Sequence, residues 1–132
     1  MIIPGTILRV SDKTGVVLVK CIKILGTGRK SAAHVGDTIL VSVQLLNPKR
    51  FVTAKLKKKK NYFARGTIHR ALIIRTKFRF KRAHGISLSF SQNSVVLVNK
   101  KNIPLSNRAY GPVLKELCMK VPALGSISMF VI

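Results

Sequence analysis

The stretch Thr67-Ile68-His69-Arg70-Ala71-Leu72-Ile73-Ile74-Arg75-Thr76 carries four consecutive apolar residues between basic ones. A run this short, rich in β-branched residues and bounded by Gly66, reads as a strand apolar on both faces rather than as a helix. Only a strand that passes through the middle of a core needs that pattern. Upstream, Val16-Val17-Leu18-Val19 and Ile39-Leu40-Val41-Ser42-Val43-Gln44-Leu45 show partial period-two alternation, so Thr6 to Leu46 reads as a meander. Asp12-Lys13-Thr14-Gly15 supplies a tight hairpin with Gly15 at positive φ. Gly26-Thr27-Gly28 and Val35-Gly36-Asp37 bound the next loop. Downstream, Ile86 to Phe90 and Ser94 to Val98 read as two strands joined by Ser-Gln-Asn. Gly111 to Lys120 reads as a short helix with Pro112 at its first position and Leu114, Leu117, Cys118 and Val121 on one face. Ser126 to Ile132 is apolar and strand-like. Five or six short strands with glycine at the corners and one helix predict a mainly β fold, a small closed five-stranded barrel, with a sandwich as the alternative.

Composition sets the function class. The 132 residues hold 25 Lys plus Arg against 3 Asp plus Glu, a formal net charge of +22, yet 47% are hydrophobic. Such a chain folds around a core and is not a disordered basic tail. Its length suits one domain, 1–132. The acids are Asp12, Asp37 and Glu116, so nothing between Thr38 and Lys115 can neutralise a cation. A polyanionic partner is the natural source of the missing charge, and nucleic acid is the first candidate.

Of the 25 basic residues, 14 fall between Lys49 and Arg82 together with Phe51, Tyr62, Phe63, Phe78 and Phe80. Two features divide this region: a basic arm at about 47–66 and a basic hairpin at about 75–90. If 75–82 is extended, Arg75, Lys77, Arg79 and Lys81 share one face and Phe78 and Phe80 the other. Phosphates would then meet one face while the rings anchor on the barrel or stack on an unpaired base. The plainer alternative is a solvated basic strand over two core phenylalanines. The RNA-contact candidates are Arg29, Lys30, Lys49, Arg50, Lys55, Lys57, Lys58, Lys59, Lys60, Arg75, Lys77, Arg79, Lys81 and Arg82.

Catalysis finds little support. Three scattered carboxylates make no acid/base pair, and His34, His69 and His84 lie in loops or among basic residues. Cys21 and Cys118 sit far apart in apolar stretches, which suits buried free thiols in a reducing compartment; no metal-ligand spacing is present. Neither an enzyme nor a cofactor is expected. No apolar run reaches the roughly 18 to 20 residues that span a bilayer. The N-terminus, Met1-Ile2-Ile3-Pro4-Gly5, shows no cleavable address.

A spaced pattern then points to a family. Ala71 to Lys77, His84-Gly85, Phe90, Asn93 and Val96-Leu97-Val98-Asn99 are supported by Asp12-x-x-Gly15, Cys21 to Gly26, Val35-Gly36-Asp37, Arg108-Ala109-Tyr110-Gly111-Pro112-Val113 and Glu116-Leu117. Together they resemble the large-subunit ribosomal protein L-fourteen family nearly end to end. The resemblance implies a five-stranded barrel with a projecting β-ribbon and a small C-terminal helical region. It further implies binding to large-subunit rRNA, contact with proteins of the L-three and L-nineteen families, and a bridge to small-subunit rRNA. In the family, the region matching Asn107-Arg108 forms a protein and intersubunit surface where a ribosome silencing factor docks. Compared with typical bacterial members, the segment from Lys49 to Arg65 is longer and more basic, Thr67 replaces an acid, Val16-Val17 replaces Ala-Arg and Ala123 replaces a lysine. This drift resembles a divergent organellar member and leads to an expected mitochondrial location, with plastid or bacterial cytoplasm as alternatives. A free RNA chaperone using the same basic surface is the rival functional reading.

Overall fold

The computed structural model describes residues 1–26, 28, 31–49 and 63–132. Its strands are β1 (Ile7–Val10), β2 (Val16–Ile24), β3 (Thr38–Leu46), β4 (Ile68–Arg75), β5 (Phe80–Lys81), β6 (Ser87–Leu88), β7 (Ser94–Val98), β8 (Ala109–Val113) and β9 (Ser128–Val131). Helices α1 (Lys115–Lys120) and α2 (Pro122–Ile127) lie between the last two. A closed barrel runs β1-β2-β3-β4-β7, shut by parallel pairing of β1 with β7, while every other barrel pair is antiparallel. Closure removes the open edges that a five-stranded sheet would expose.

The apolar run in β4 has the physical cause its pattern suggests. Ala71 and Ile73 point into the barrel, where they meet Leu8, Val19, Val41, Val95 and Leu97, all buried. Leu72 and Ile74 point outward into a second core with Val96, Val98, Val113, Leu114, Leu117 and Leu124. Because Ala71 pairs with Leu97, Leu72 with Val96 and Ile73 with Val95, β7 alternates in step and is buried along its whole length. A C-terminal cap therefore covers the outer face of two barrel strands. Burying each large aliphatic side chain contributes about 1.5–3 kcal/mol.

The turn at 12–15 forms as its sequence predicts, with Gly15 at φ 93°. Asp12 is buried there and joins three segments. Its carboxylate accepts the Thr14 N–H at 2.9 Å and the Leu97 N–H at 2.9 Å, and residue 12 bridges Ala109 of β8.

Three expectations change. Residues 86–90 hold only the two-residue strand β6, which pairs with β5 as a small ribbon and not with β7. The helix does not begin at Pro112: Ala109–Val113 is a strand paired in parallel with β9, and the proline that opens a helix is Pro122 of α2. Ala109–Val113 forms a strand where the proline predicts a helix start, because parallel pairing with the apolar tail competes successfully with local propensity. Finally, Cys21 is buried but Cys118 is only half-buried; both thiols are free, and burial pushes both above their ordinary range. No helix among the described residues is long and apolar enough to cross a membrane.

Replacing Asp12 by Ala leaves the Leu97 and Thr14 amides without their acceptor, and each buried orphan costs about 1–3 kcal/mol. Urea denaturation of Asp12→Ala is expected to show a loss of about 2–4 kcal/mol. Wild-type stability would show that water replaces the carboxylate.

Candidate nucleic-acid interface

The sequence-predicted contact residues separate into distinct groups. Arg29, Lys30, Arg50, Lys55, Lys57, Lys58, Lys59 and Lys60 lie outside the described residues, as does most of the 47–66 arm. Lys49 is exposed just past the end of β3. Lys77, Arg79 and Lys81 are exposed on the loop and ribbon that follow β4. Arg75 and Arg82, by contrast, are half-buried and engaged inside the protein.

Arg75 is the predicted contact residue most fully engaged inside the protein. A bulge between Ile73 and Arg75 re-aims its side chain away from the alternating face. Nη1 donates to the carbonyls of Tyr110 and Pro112, each at 2.9 Å, and Nη2 donates to Ser11 Oγ at 2.5 Å. Burial, and secondarily the nearby Arg9 charge, hold its pKa below the usual guanidinium value. The planar fork ties the barrel to β8, a geometry a lysine ammonium does not reproduce. Gly111 completes the clamp. Its φ is 80°, and a Cβ there would lie 2.6 Å from the pinned Arg75 Nη1.

Arg82 anchors the ribbon. Its Nε donates to Glu116 Oε1 at 2.6 Å, and its Nη2 donates to Glu116 Oε2 at 3.1 Å and to the Ile132 carbonyl at 2.7 Å. The hydrogen bonds from Arg82 hold the Glu116 carboxyl below its ordinary pKa. Phe80 and Leu88 of the ribbon pack against the outer core.

The chain between these anchors is not a continuous extended strand. Thr76 is buried and donates to the Phe78 carbonyl, while Asn93 Oδ1 accepts the Lys77 N–H at 2.9 Å. The two rings consequently separate. Phe80 is half-buried, whereas Phe78 is 49% exposed and stands edge-on to His34, with ring centroids 5.7 Å apart. Lys77, Arg79 and Lys81 remain as the cationic edge, and none of them makes a side-chain ion pair among the described residues.

A second surface lies on the cap. Asn107 and Arg108 are exposed before β8, in a turn where Ser106 Oγ bonds both the amide and the carbonyl of Arg108. Nearby, β9 exposes Met129, Phe130 and Val131, and α1 exposes Met119 at 71%. Sequence reading identified the strand-like tail but not its exposure, because period-two patterning cannot show which edge stays uncovered.

The histidines stay apart. His69 sits in the barrel mouth, its ring 4.7 Å from Phe63, with Nε2 2.9 Å from Thr67 Oγ1. The Thr67 hydroxyl donates its proton to the Ala64 carbonyl, so Nε2 must be the donor to it. Burial lowers the His69 pKa. Among the described residues no three His, Cys, Asp or Glu side chains gather as metal ligands.

The described molecule is a small closed β-barrel protein whose three carboxylates bond within the chain while Lys77, Arg79 and Lys81 stay exposed. The family model for ribosomal protein L14p/L23e matches residues 1–132, the whole chain, and the chain belongs to that family. Membership gives it a structural role in the large ribosomal subunit.

Two outcomes test this division of labour. Arg75→Met is expected to destabilise the protein by about 2–3 kcal/mol in denaturant titration, and Arg75→Lys to recover little of that loss. Lys77→Ala and Arg79→Ala should leave stability within about 0.5 kcal/mol of wild type. For His69, the folded pKa lies below the ordinary 6.5. Its contribution is complete above that value and is lost as pH falls below it, because the unfolded chain binds the proton more readily. His69→Gln should flatten that acid limb of the stability profile measured by thermal melts.

Proposed function

We propose that the protein binds large-subunit rRNA with its exposed cations and acts as a scaffold at the subunit interface, contributing to a bridge with small-subunit rRNA. The observation that carries this reading is where the carboxylates go. Asp12 accepts the Leu97 and Thr14 amides, Asp37 accepts the His34 N–H at 3.0 Å, and Glu116 holds Arg82. All three acids are engaged within the protein. Lys77, Arg79, Lys81 and Lys49 are exposed where phosphates can reach them, and the cations outside the described residues (Arg29, Lys30, Arg50, Lys55 and Lys57 to Lys60) are proposed as further contacts from sequence alone. Neutralising phosphates releases counterions, and recognition follows RNA shape with no bond made or broken.

The whole chain, 1–132, serves as one domain in this reading. The exposed β9 edge and its apolar side chains offer a docking surface for neighbouring ribosomal proteins of the L-three and L-nineteen families. Asn107 and Arg108 flank that surface and would form the site for a ribosome silencing factor. Ala123, at the position where the resemblance places a lysine in many members, would give that site less positive charge. The scarcity of acids supports a mitochondrial ribosome as the location.

Sedimentation of a gentle source extract through sucrose at low and at roughly 0.5 M salt tests the proposal, with the protein followed by mass spectrometry and its crosslinked RNA sequenced. A protein held in an assembled particle stays with the large subunit at one-to-one stoichiometry, and the crosslinked rRNA identifies the compartment. Free phosphate binding instead weakens at a slope of about 0.7–0.9 per neutralised phosphate. Release at the higher salt with mixed RNAs would replace the scaffold by a chaperone.

A further inference from the structure

Between β1, the 12–15 turn, the start of β2, the end of β3 and β8 lies an open cavity of about 230 Å³. Arg9, Asn47 and Tyr110 line it, all three exposed, over a floor that includes Val16 and Val17. None of these residues belongs to the cationic edge described above. The geometry points to this cavity as a site for one unpaired nucleotide of RNA, an assignment that rests on the RNA-binding reading and makes it specific.

Each wall offers a different group. Tyr110 is fixed at both backbone ends, its N–H donating to the Ser11 carbonyl at 2.7 Å and its carbonyl accepting Arg75 Nη1 at 2.9 Å. Its ring is thus carried on rigid backbone, 41% exposed, and its hydroxyl has no partner among the described residues. An aromatic face held in place stacks a base at small entropic cost. Asn47 is fixed by its own N–H, which donates to the Gly15 carbonyl at 2.8 Å, and its Oδ1 accepts the Lys49 N–H at 3.2 Å. Its amide N–H groups remain for a carbonyl on a base edge. Among the described residues the Arg9 guanidinium makes one long contact, Nη1 to Gln92 Oε1 at 3.5 Å, which leaves it for the flanking phosphate.

The local charge agrees with such a ligand. Asp12 also borders the cavity, but Oδ2 accepts the Leu97 amide and Oδ1 the Thr14 amide, so its carboxylate is turned into the protein. The cavity is smaller than the roughly 300–1,000 Å³ of pockets for larger ligands. A duplex cannot enter it, whereas a base splayed from a loop or bulge can.

The test compares binding of a single-stranded oligouridylate of about 12 nucleotides with a chain of the same length whose residues are abasic. Wild type is expected to prefer the oligouridylate. Tyr110→Leu should abolish that preference and weaken binding about tenfold with the salt slope unchanged, because a stack and no phosphate contact is lost. Arg9→Gln should lower the slope by about one. Asn47→Ala, which keeps the backbone bond to Gly15, should reduce the preference independently, and circular dichroism checks that each variant is folded. If folded Tyr110→Leu and Asn47→Ala both keep the wild-type preference, the cavity holds no base and the RNA-binding reading survives. Failure of wild type to bind either chain at low salt would overturn both.

Discussion

Two-sided burial of β4 and β7 is the constraint from which the rest of the architecture follows. A barrel strand normally shows one face to solvent, but here Leu72, Ile74, Val96 and Val98 are as thoroughly buried as Ala71, Ile73, Val95 and Leu97. The outer residues require a cover, and the cap formed by β8, α1, α2 and β9 provides it. Arg75 then makes the cover specific. A purely apolar contact would fix neither register nor orientation, whereas three directed bonds from one planar guanidinium fix where β8 crosses the strand end. That single side chain is compatible only with glycine at 111.

The excess of positive charge shapes the fold as well as the partner. With three carboxylates available, each is placed where it joins segments distant in sequence or closes a turn: Asp12 spans the first hairpin and β7, Asp37 closes the turn before β3, and Glu116 ties the ribbon to α1. Arg75 has no carboxylate at all and relies on carbonyl and hydroxyl oxygens. Neutral acceptors suffice because the guanidinium keeps its charge even when burial lowers its pKa. Lys77, Arg79 and Lys81 consequently meet no carboxylate among the described residues.

Much of the fold could be read from residue pattern, because barrel strands announce themselves by period and glycine. The 67–76 run showed two-sided burial directly, and Asp12 to Gly15 showed its turn. Pro112 misled for a physical reason: proline is as acceptable in a short edge strand as at a helix start, and only pairing with the distant tail decides between them. The roles of Arg75 and Arg82 were illegible for the same kind of reason. Along the sequence each is one more cation in a basic segment, and their separation from Lys77, Arg79 and Lys81 depends on a bulge at Ile74 and on partners about 35 residues away. Tyr110 appeared only within the Arg108 to Val113 stretch that supports the family resemblance, with no sign that its ring would remain exposed beside Arg9.

Internal engagement of Arg75 and Arg82 also bears on how the outward cations work. The loop from Thr76 to Lys81 is fixed at its start by the Arg75 clamp and the Asn93 contact and at its end by the Arg82 pair. Lys77, Arg79 and Lys81 are therefore presented from a short segment pinned at both ends. In the proposed rRNA contact, less backbone freedom would be lost on binding, so more of the phosphate attraction would be retained as affinity. A flexible basic tail of equal charge would bind with the same salt dependence but without a fixed orientation. A scaffold needs that orientation, and the two half-buried arginines supply it from inside the protein.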